Sequence, residues 1–433
     1  MSKLTEALYR AQHATGDLAI TQWRYALRQT RHVSCGVRNN VLGDLYHPPA
    51  YNRNLSGDLW IQWSDGLVSH GDLDPAALAD VPAKLAQMRR VAYAEEHVPE
   101  LPAPSVPPDV PLFDGLVEEK LLGDPDELFE RLRETKEALA PLGSEQISAG
   151  FSYEVHTFTV ANSKGLMVDV PSTRVHFGVD IDSRYSDGFV MRRWPTPERF
   201  HQVLEHIRTF YPALKRKAEG VHTPRTIILH PEVAPSFLGH FVHANLAGSG
   251  IAAGSSRYRN ADFETGAAVI HPSLTLQYDP TVPFEASSYA MSSEGLPAAP
   301  GVLIEAGRLV NPLMSLKDAK RLGREPLSPP GSGGLRITQE GHTEFWEYLK
   351  SVESGYLVIS VLGMHTQDSV RGEYSLSVDA GVVIEHGELI GERRGVLRGD
   401  FFANLNDPEL RVLETTEWDD PGLAFPGSVY WEQ

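Results

Sequence analysis

Histidines three residues apart on a helix project from one face, and the chain carries such a pair in Gly239-His240-Phe241-Val242-His243. Two neutral imidazoles so placed can chelate one divalent metal if a third ligand arrives from elsewhere, for which His365 is the candidate. The pair sits in an amphipathic segment whose apolar stripe is Val233, Phe237 and Phe241. No glutamate lies between or beside the two histidines to serve as general base. Spacing alone therefore reads them as helix histidines satisfied by hydrogen bonds or solvent.

His201 with Glu205-His206 approaches an inverted zinc motif but is one residue too long. Five residues at about 3.6 per turn leave the two imidazoles roughly 140° apart, so they cannot easily share a metal and read as part of a surface helix. Gly331-Ser332-Gly333-Gly334, after Pro329-Pro330, reads as a mobile or tight loop, since it lacks the Lys-Ser/Thr of a phosphate loop. Cys35, in Val33-Ser34-Cys35-Gly36 with His32 upstream, reads as an incidental or structural thiol, and no Gly-x-Ser-x-Gly elbow occurs. Residue chemistry alone yields no convincing catalytic set.

The elements around these residues alternate between helix and strand. Residues 75–93 place Leu78, Val81, Leu85 and Met88 at helical spacing. Asp124 is a plausible N-cap ahead of Pro125, Leu128, Leu132 and Leu139, and Thr196-Pro197 repeats that signature ahead of Phe200, Val203, Leu204 and Ile207. Val175, Phe177, Val179 and Ile181 alternate with Arg174, His176, Gly178 and Asp180, the pattern of a half-buried strand. Residues 357–362 read as a fully buried strand. Without a strict strand–helix–strand rhythm, the expected class is α+β, multi-domain, with mixed sheets and interleaved helices.

The length of 433 residues suggests two or three domains. Residues 99–108 are proline-rich and read as a linker, and residues 220–224 form a weaker boundary after a helix ending in Lys215, Arg216 and Lys217. The expected division is an N-terminal α+β domain over 1–98, a linker over 99–112, a middle α+β segment over 113–220 and a C-terminal domain over 221–433. The formal net charge of −18 disfavours nucleic acid and anionic membranes as partners. Cys35 is the only cysteine, residues 1–19 interleave charged with apolar side chains, and no long apolar run occurs. The expectation is a soluble cytoplasmic protein.

Leu229-His230-Pro231-Glu232-Val233 through Gly239-His240-Phe241-Val242 resembles the central helix of the TldD/PmbA peptidase family. Asn162-Ser163-Lys164-Gly165-Leu166, followed by Pro171-Ser172-Thr173-Arg174, is similar to the family's Asn-Ser-x-Gly segment and the strand after it. Leu362-Gly363-Met364-His365 and Arg371-Gly372-Glu373-Tyr374-Ser375 are similar to its segment ahead of a strand pair. Here that pair is Ala380-Gly381-Val382-Val383-Ile384-Glu385 and His386-Gly387-Glu388-Leu389-Ile390. Arg398-Gly399-Asp400 and Asn404-Leu405-Asn406-Asp407 resemble the family's following Gly-Asn/Asp-Leu segment, and 331–334 falls at its glycine-rich loop.

The resemblance implies a comparison residue by residue. TldD-type members bear a His-Glu-x-x-x-His helix and a distant cysteine that hold zinc, with the glutamate activating metal-bound water. Here Gly239, His240 and Ala244 take the places of the first histidine, the glutamate and the second histidine, and Pro426 that of the cysteine. The chain thus resembles TldE, the non-metal subunit. The implied function is a heterodimer with a TldD-like subunit that carries the zinc, while this chain binds no cofactor and helps enclose an unfolded peptide or leader segment. The alternatives are a self-sufficient metal-dependent tailoring hydrolase using His240, His243 and His365, or a non-catalytic binding or regulatory protein. The aromatic groups Phe345, Trp346, Tyr348 and Phe401, Phe402 could be core or interface, with core the more ordinary reading.

Overall fold

The computed structural model describes residues 3–43, 48–123, 125–219, 224–331 and 334–431. Asp124, most of 220–224 and the centre of the 331–334 loop, each singled out by the sequence, lie outside the described residues.

Long alternating segments build a seven-stranded antiparallel sheet. Ile20–Arg38 lies between Ala50–Trp63 and Ile147–Asn162, and Met167–Ile181 and Tyr185–Met191 follow on the second side. Val175, Phe177, Val179 and Ile181 are buried as their spacing required, while His176 faces out. The sheet joins stretches that composition had separated. Ile20–Arg38 is paired with Ile147–Asn162 from Arg24–Asn162 to Val37–Ala149, so residues 1–98 and 113–220 share one hydrogen-bonded layer. The proline-rich stretch has no regular structure but is packed down on that layer. Leu101 is buried with Trp60 and Val68, and Asn162 donates to the Pro102 carbonyl at 2.9 Å.

A second, eight-stranded mixed sheet lies wholly in the C-terminal half. Thr226–Leu229 runs parallel to Ser354–Leu362 and antiparallel to Gly422–Pro426, and Glu373–Glu385 pairs with Ser354–Leu362, Glu388–Glu392 and Gly395–Asp400. His386 (φ 51°) and Gly387 (φ 77°) turn the strand pair inferred at 380–390. Left-handed backbone at both positions matches the twist of a tight hairpin. A Cβ on Gly387 would lie 2.2 Å from the Lys350 carbonyl oxygen, so only glycine fits there. Leu357, Val358 and Ile359 are buried, but Leu362 is 57% exposed, because the strand runs past the layer that covers its start. A four-stranded sheet over 274–339 completes the domain, with Leu335–Gln339 at one edge.

The helix Pro197–Lys215 packs between the two large sheets. Thr196 enters it in extended backbone and Pro197 occupies its first turn, where a missing N–H costs nothing. Phe200, Val203, Ile207, Phe210 and Leu214 join a single apolar cluster running from Phe151 and Phe177 to Leu357 and Val382. Here the surface-helix reading fails for His206. The same angular offset that kept it from sharing a metal with His201 leaves His201 exposed and turns His206 into the core. The helix expected over 75–93 is two, Pro75–Ala79 and Val81–Arg90. Pro82 cannot donate mid-helix, and Asp80 caps the second by accepting from the Ala83 N–H at 3.1 Å. Phe345, Phe401 and Phe402 are core, with Trp346 and Tyr348 packed against it. Among the described residues no helix is long and apolar enough to cross a membrane.

Candidate functional site

The strand Thr226–Leu229 delivers His230 into the core, and the chain turns through Pro231 and Glu232 into the helix Ala234–Phe237. The helix then widens into a π-type turn over Leu238–His243 before closing as Ala244–Leu246. Such widenings are rare and frequent at functional sites. The apolar stripe anchors it: Phe237 and Phe241 are fully buried against Tyr374 and Phe401. Gly239, His243 and Ala244 are left on the open face.

The histidines expected as possible ligands are placed apart in role. His240 Nε2 lies 3.0 Å from the Gln367 carbonyl oxygen, so that nitrogen carries the proton and donates. His243 lines a cavity of about 590 Å³ with Gly239, Met314, Pro330 and Gly331, and partial burial pushes its imidazole pKa down. His365 is exposed in the turn Met364–Thr366. Among the described residues no three His, Cys, Asp or Glu side chains converge as a metal site. Gly331 and Gly334 close tightly on Ser287, so that end of the loop is tight rather than free.

The position proposed for the family's cysteine is corrected by strand register. Pro426 pairs with Thr226, which on its other side pairs with Gly355. The helix instead packs at Tyr374, and Asn245 donates to the Ser369 carbonyl, both beyond the Leu362–Ser377 pair at the far end of the same strands. At about 3.3 Å per residue this is a separation of roughly 20 Å or more. The C-terminal residue that shares a cavity wall with Gly239 and His243 is Asp420.

Asp420 and Pro235 also border a second cavity, of about 620 Å³, lined by Asp180, Asp187, Glu232, Asp419, Arg199 and Trp418. Burial, then the charges of Asp187, Asp419 and Asp420, raise Glu232 to about 7, although it opens to solvent through the cavity mouth. Burial, then Asp419, raises Asp420 to about 6. Two carboxyls poised near neutrality can exchange protons or take up a cation.

One wall of this cavity rests on a buried network invisible to local motifs. His206 Nδ1 is 2.6 Å from Asp187 Oδ2 and its Nε2 is 2.7 Å from Glu417 Oε2. Trp346 Nε1 donates to the same Glu417 oxygen at 2.8 Å, and the Trp418 indole stacks on His206 at 4.0 Å. His230, fully buried, accepts from the Glu232 N–H through Nδ1, and burial drives its pKa down to about 3, so it stays neutral. These groups lie up to 231 positions apart (187 to 418), so their only sequence signal was the unusual Glu205-His206 doublet.

The open helix face therefore lies along a trough. The acidic cavity meets the His243 cavity at Pro235 and Asp420, and the latter meets a third, of about 300 Å³, at Ser293, Pro329, Pro330 and Gly331.

Residues 223–413 match the PmbA/TldA metallopeptidase C-terminal domain. An uncharacterized protein of Methanocaldococcus jannaschii is 23% identical over 322 residues, covering 71% of this chain and 74% of that protein. A metalloprotease of Synechocystis is 27% identical over 213 residues, 45% of this chain and 44% of its own length. The crystal structure of TldE from Thermococcus kodakarensis superposes with a TM-score of 0.79 at 17% identity, covering 98% of this chain and 99% of that one. At that identity the likeness is one of fold.

Proposed function

We propose, for a chain whose residues 223–413 belong to the PmbA/TldA metallopeptidase C-terminal domain family, that it serves as the TldE-like subunit of a cytoplasmic heterodimeric peptidase. A TldD-like partner supplies the zinc and the general base, and this chain encloses and positions an unfolded peptide. What supports the reading is the open face of the helix: by the family resemblance Gly239 and Ala244 take the places of metal-binding histidines, and His240 donates to the Gln367 carbonyl.

The trough supports a role in holding extended chains. Leu335 lines it beside Gly334, and Leu335–Gln339 is an edge strand of its sheet. A peptide adding along that edge would be bound through main-chain hydrogen bonds, which do not depend on its sequence. The test is reconstitution from purified subunits, with cleavage of an unfolded peptide expected only when both are present. Full cleavage by either subunit alone overturns the division of labour.

A further inference from the structure

In a chain of net charge −18, the third cavity of the trough is lined by Arg28, Arg174, Arg192 and His156 and, among the described residues, by no carboxylate. Arg192 is fixed there by main-chain carbonyls: Nε donates to Glu285 at 2.9 Å, Nη1 to Thr173 at 3.3 Å, and Nη2 to Ala286 at 3.1 Å and Ser288 at 2.5 Å. Its donors are occupied but its charge is not neutralised.

Arg174 makes no ion pair among the described residues, and Arg28 has only the Phe158 ring, 5.5 Å from its guanidinium carbon. Glu154, across the strand pair from Arg174, feels its charge but turns its oxygens to His156 at 2.8 Å and His32 at 3.7 Å. By contrast Arg24, four residues before Arg28 on the same strand, has found Glu294 at 2.7 Å. The crowding is felt within the cavity: burial, then the like charges of Arg174 and Arg28, lowers the Arg192 guanidinium to about 10. Guanidinium forks match a planar oxyanion through paired hydrogen bonds. Ser172, Ser287 and Ser292 add hydroxyl donors to the same walls.

We infer that this cavity is a carboxylate pocket that holds the C-terminal or side-chain carboxylate of the peptide lying in the trough. The inference rests on the peptide-holding reading above and adds polarity to it: one end of the trough is basic and the other, at Glu232, Asp419 and Asp420, is acidic. A bound peptide would therefore lie with its carboxylate toward Arg174 and its amino group or cationic side chains toward Asp420.

The test measures binding of unstructured peptides to the purified chain by fluorescence anisotropy. The peptides have either a free or an amidated C-terminus, each with glutamates kept or replaced by glutamine. Losing the carboxylate that the pocket uses should weaken binding about tenfold. Amidation sensitivity identifies the terminus, and glutamine sensitivity identifies a side chain. Arg174→Gln and Arg28→Gln should cause a similar loss for the carboxylate peptide and leave the neutral peptide unchanged. Thermal unfolding serves to confirm that both variants fold; Arg28 is exposed, so its variant is the safer one. Three results overturn the inference: equal affinity for all peptides, no peptide binding at all, or inorganic phosphate alone binding with the same Arg174 dependence while peptides do not. Carboxylate-dependent binding without cleavage in the reconstituted pair would instead overturn the heterodimer reading and leave the pocket standing.

Discussion

His206 Nδ1 lies 2.6 Å from Asp187 Oδ2, and the two side chains are 4% and 1% exposed. The helix between the sheets is thus tied to the strand Tyr185–Met191 by a polar contact within an aromatic core. Removing one partner leaves the other buried without its mate. Asp187→Ala is expected to cost about 3 kcal/mol or more, and Asp187→Asn less, because an amide can still bond the ring. Denaturant unfolding of the two variants checks this. Equal stabilities for wild type and Asp187→Ala would mean the pair contributes nothing.

The purified chain is expected to hold no stoichiometric zinc, because tetrahedral sites need three or four ligands and no such set is present among the described residues. Elemental analysis measures it. About one zinc per chain, lost in a His240→Ala/His243→Ala double variant, would restore the self-sufficient hydrolase. His240→Ala alone should cost only about 1 kcal/mol, the worth of one hydrogen bond to Gln367.

Glu232 provides a pH signature. Its folded pKa of about 7 lies above the ordinary 4.5, so the folded state binds the proton more tightly than the unfolded state. The contribution is therefore favourable below about pH 4.5 and is lost progressively as pH rises toward about 7. Glu232→Gln, which stays neutral, should remove that decline. The check is the difference between wild-type and variant stability across this window. A difference that does not change with pH, or that changes in the opposite direction, would falsify the assignment.

Gly387→Ala is expected to destabilise the C-terminal sheet. The residue has φ of 77°, and an added Cβ meets the Lys350 carbonyl at 2.2 Å, so backbone strain and a clash combine. A loss of about 2 kcal/mol or more follows. Gly16→Ala is the comparison: it shares a positive φ of 95° but has open space around it, so it should lose less. Melting temperatures of the two variants decide.

Local periodicity made many elements readable in advance. The alternation over 174–181 and the Thr196-Pro197 helix start each depend on neighbours within a few residues, and each stands where it was expected. The stripe of Val233, Phe237 and Phe241 likewise identified the buried face of the central helix. Its widening into a π-type turn was not legible, because the same stripe spacing fits an ordinary α-helix.

The sequence by itself determined the acidic character, the α+β class and the family resemblance, because composition, short-range spacing and motif order are properties of the chain. Tertiary structure decided what depends on register and long-range pairing. It bound residues 1–98 and 113–220 into one sheet through the pairing of Ile20–Arg38 with Ile147–Asn162. Register also carried Pro426 to the wrong end of its sheet for a metal ligand. His206 went into the core between Asp187 and Glu417, and Arg28, Arg174 and Arg192 came together in one cavity. No local pattern encodes such meetings, since they follow from which strands pair and how side chains pack once the apolar faces have been buried.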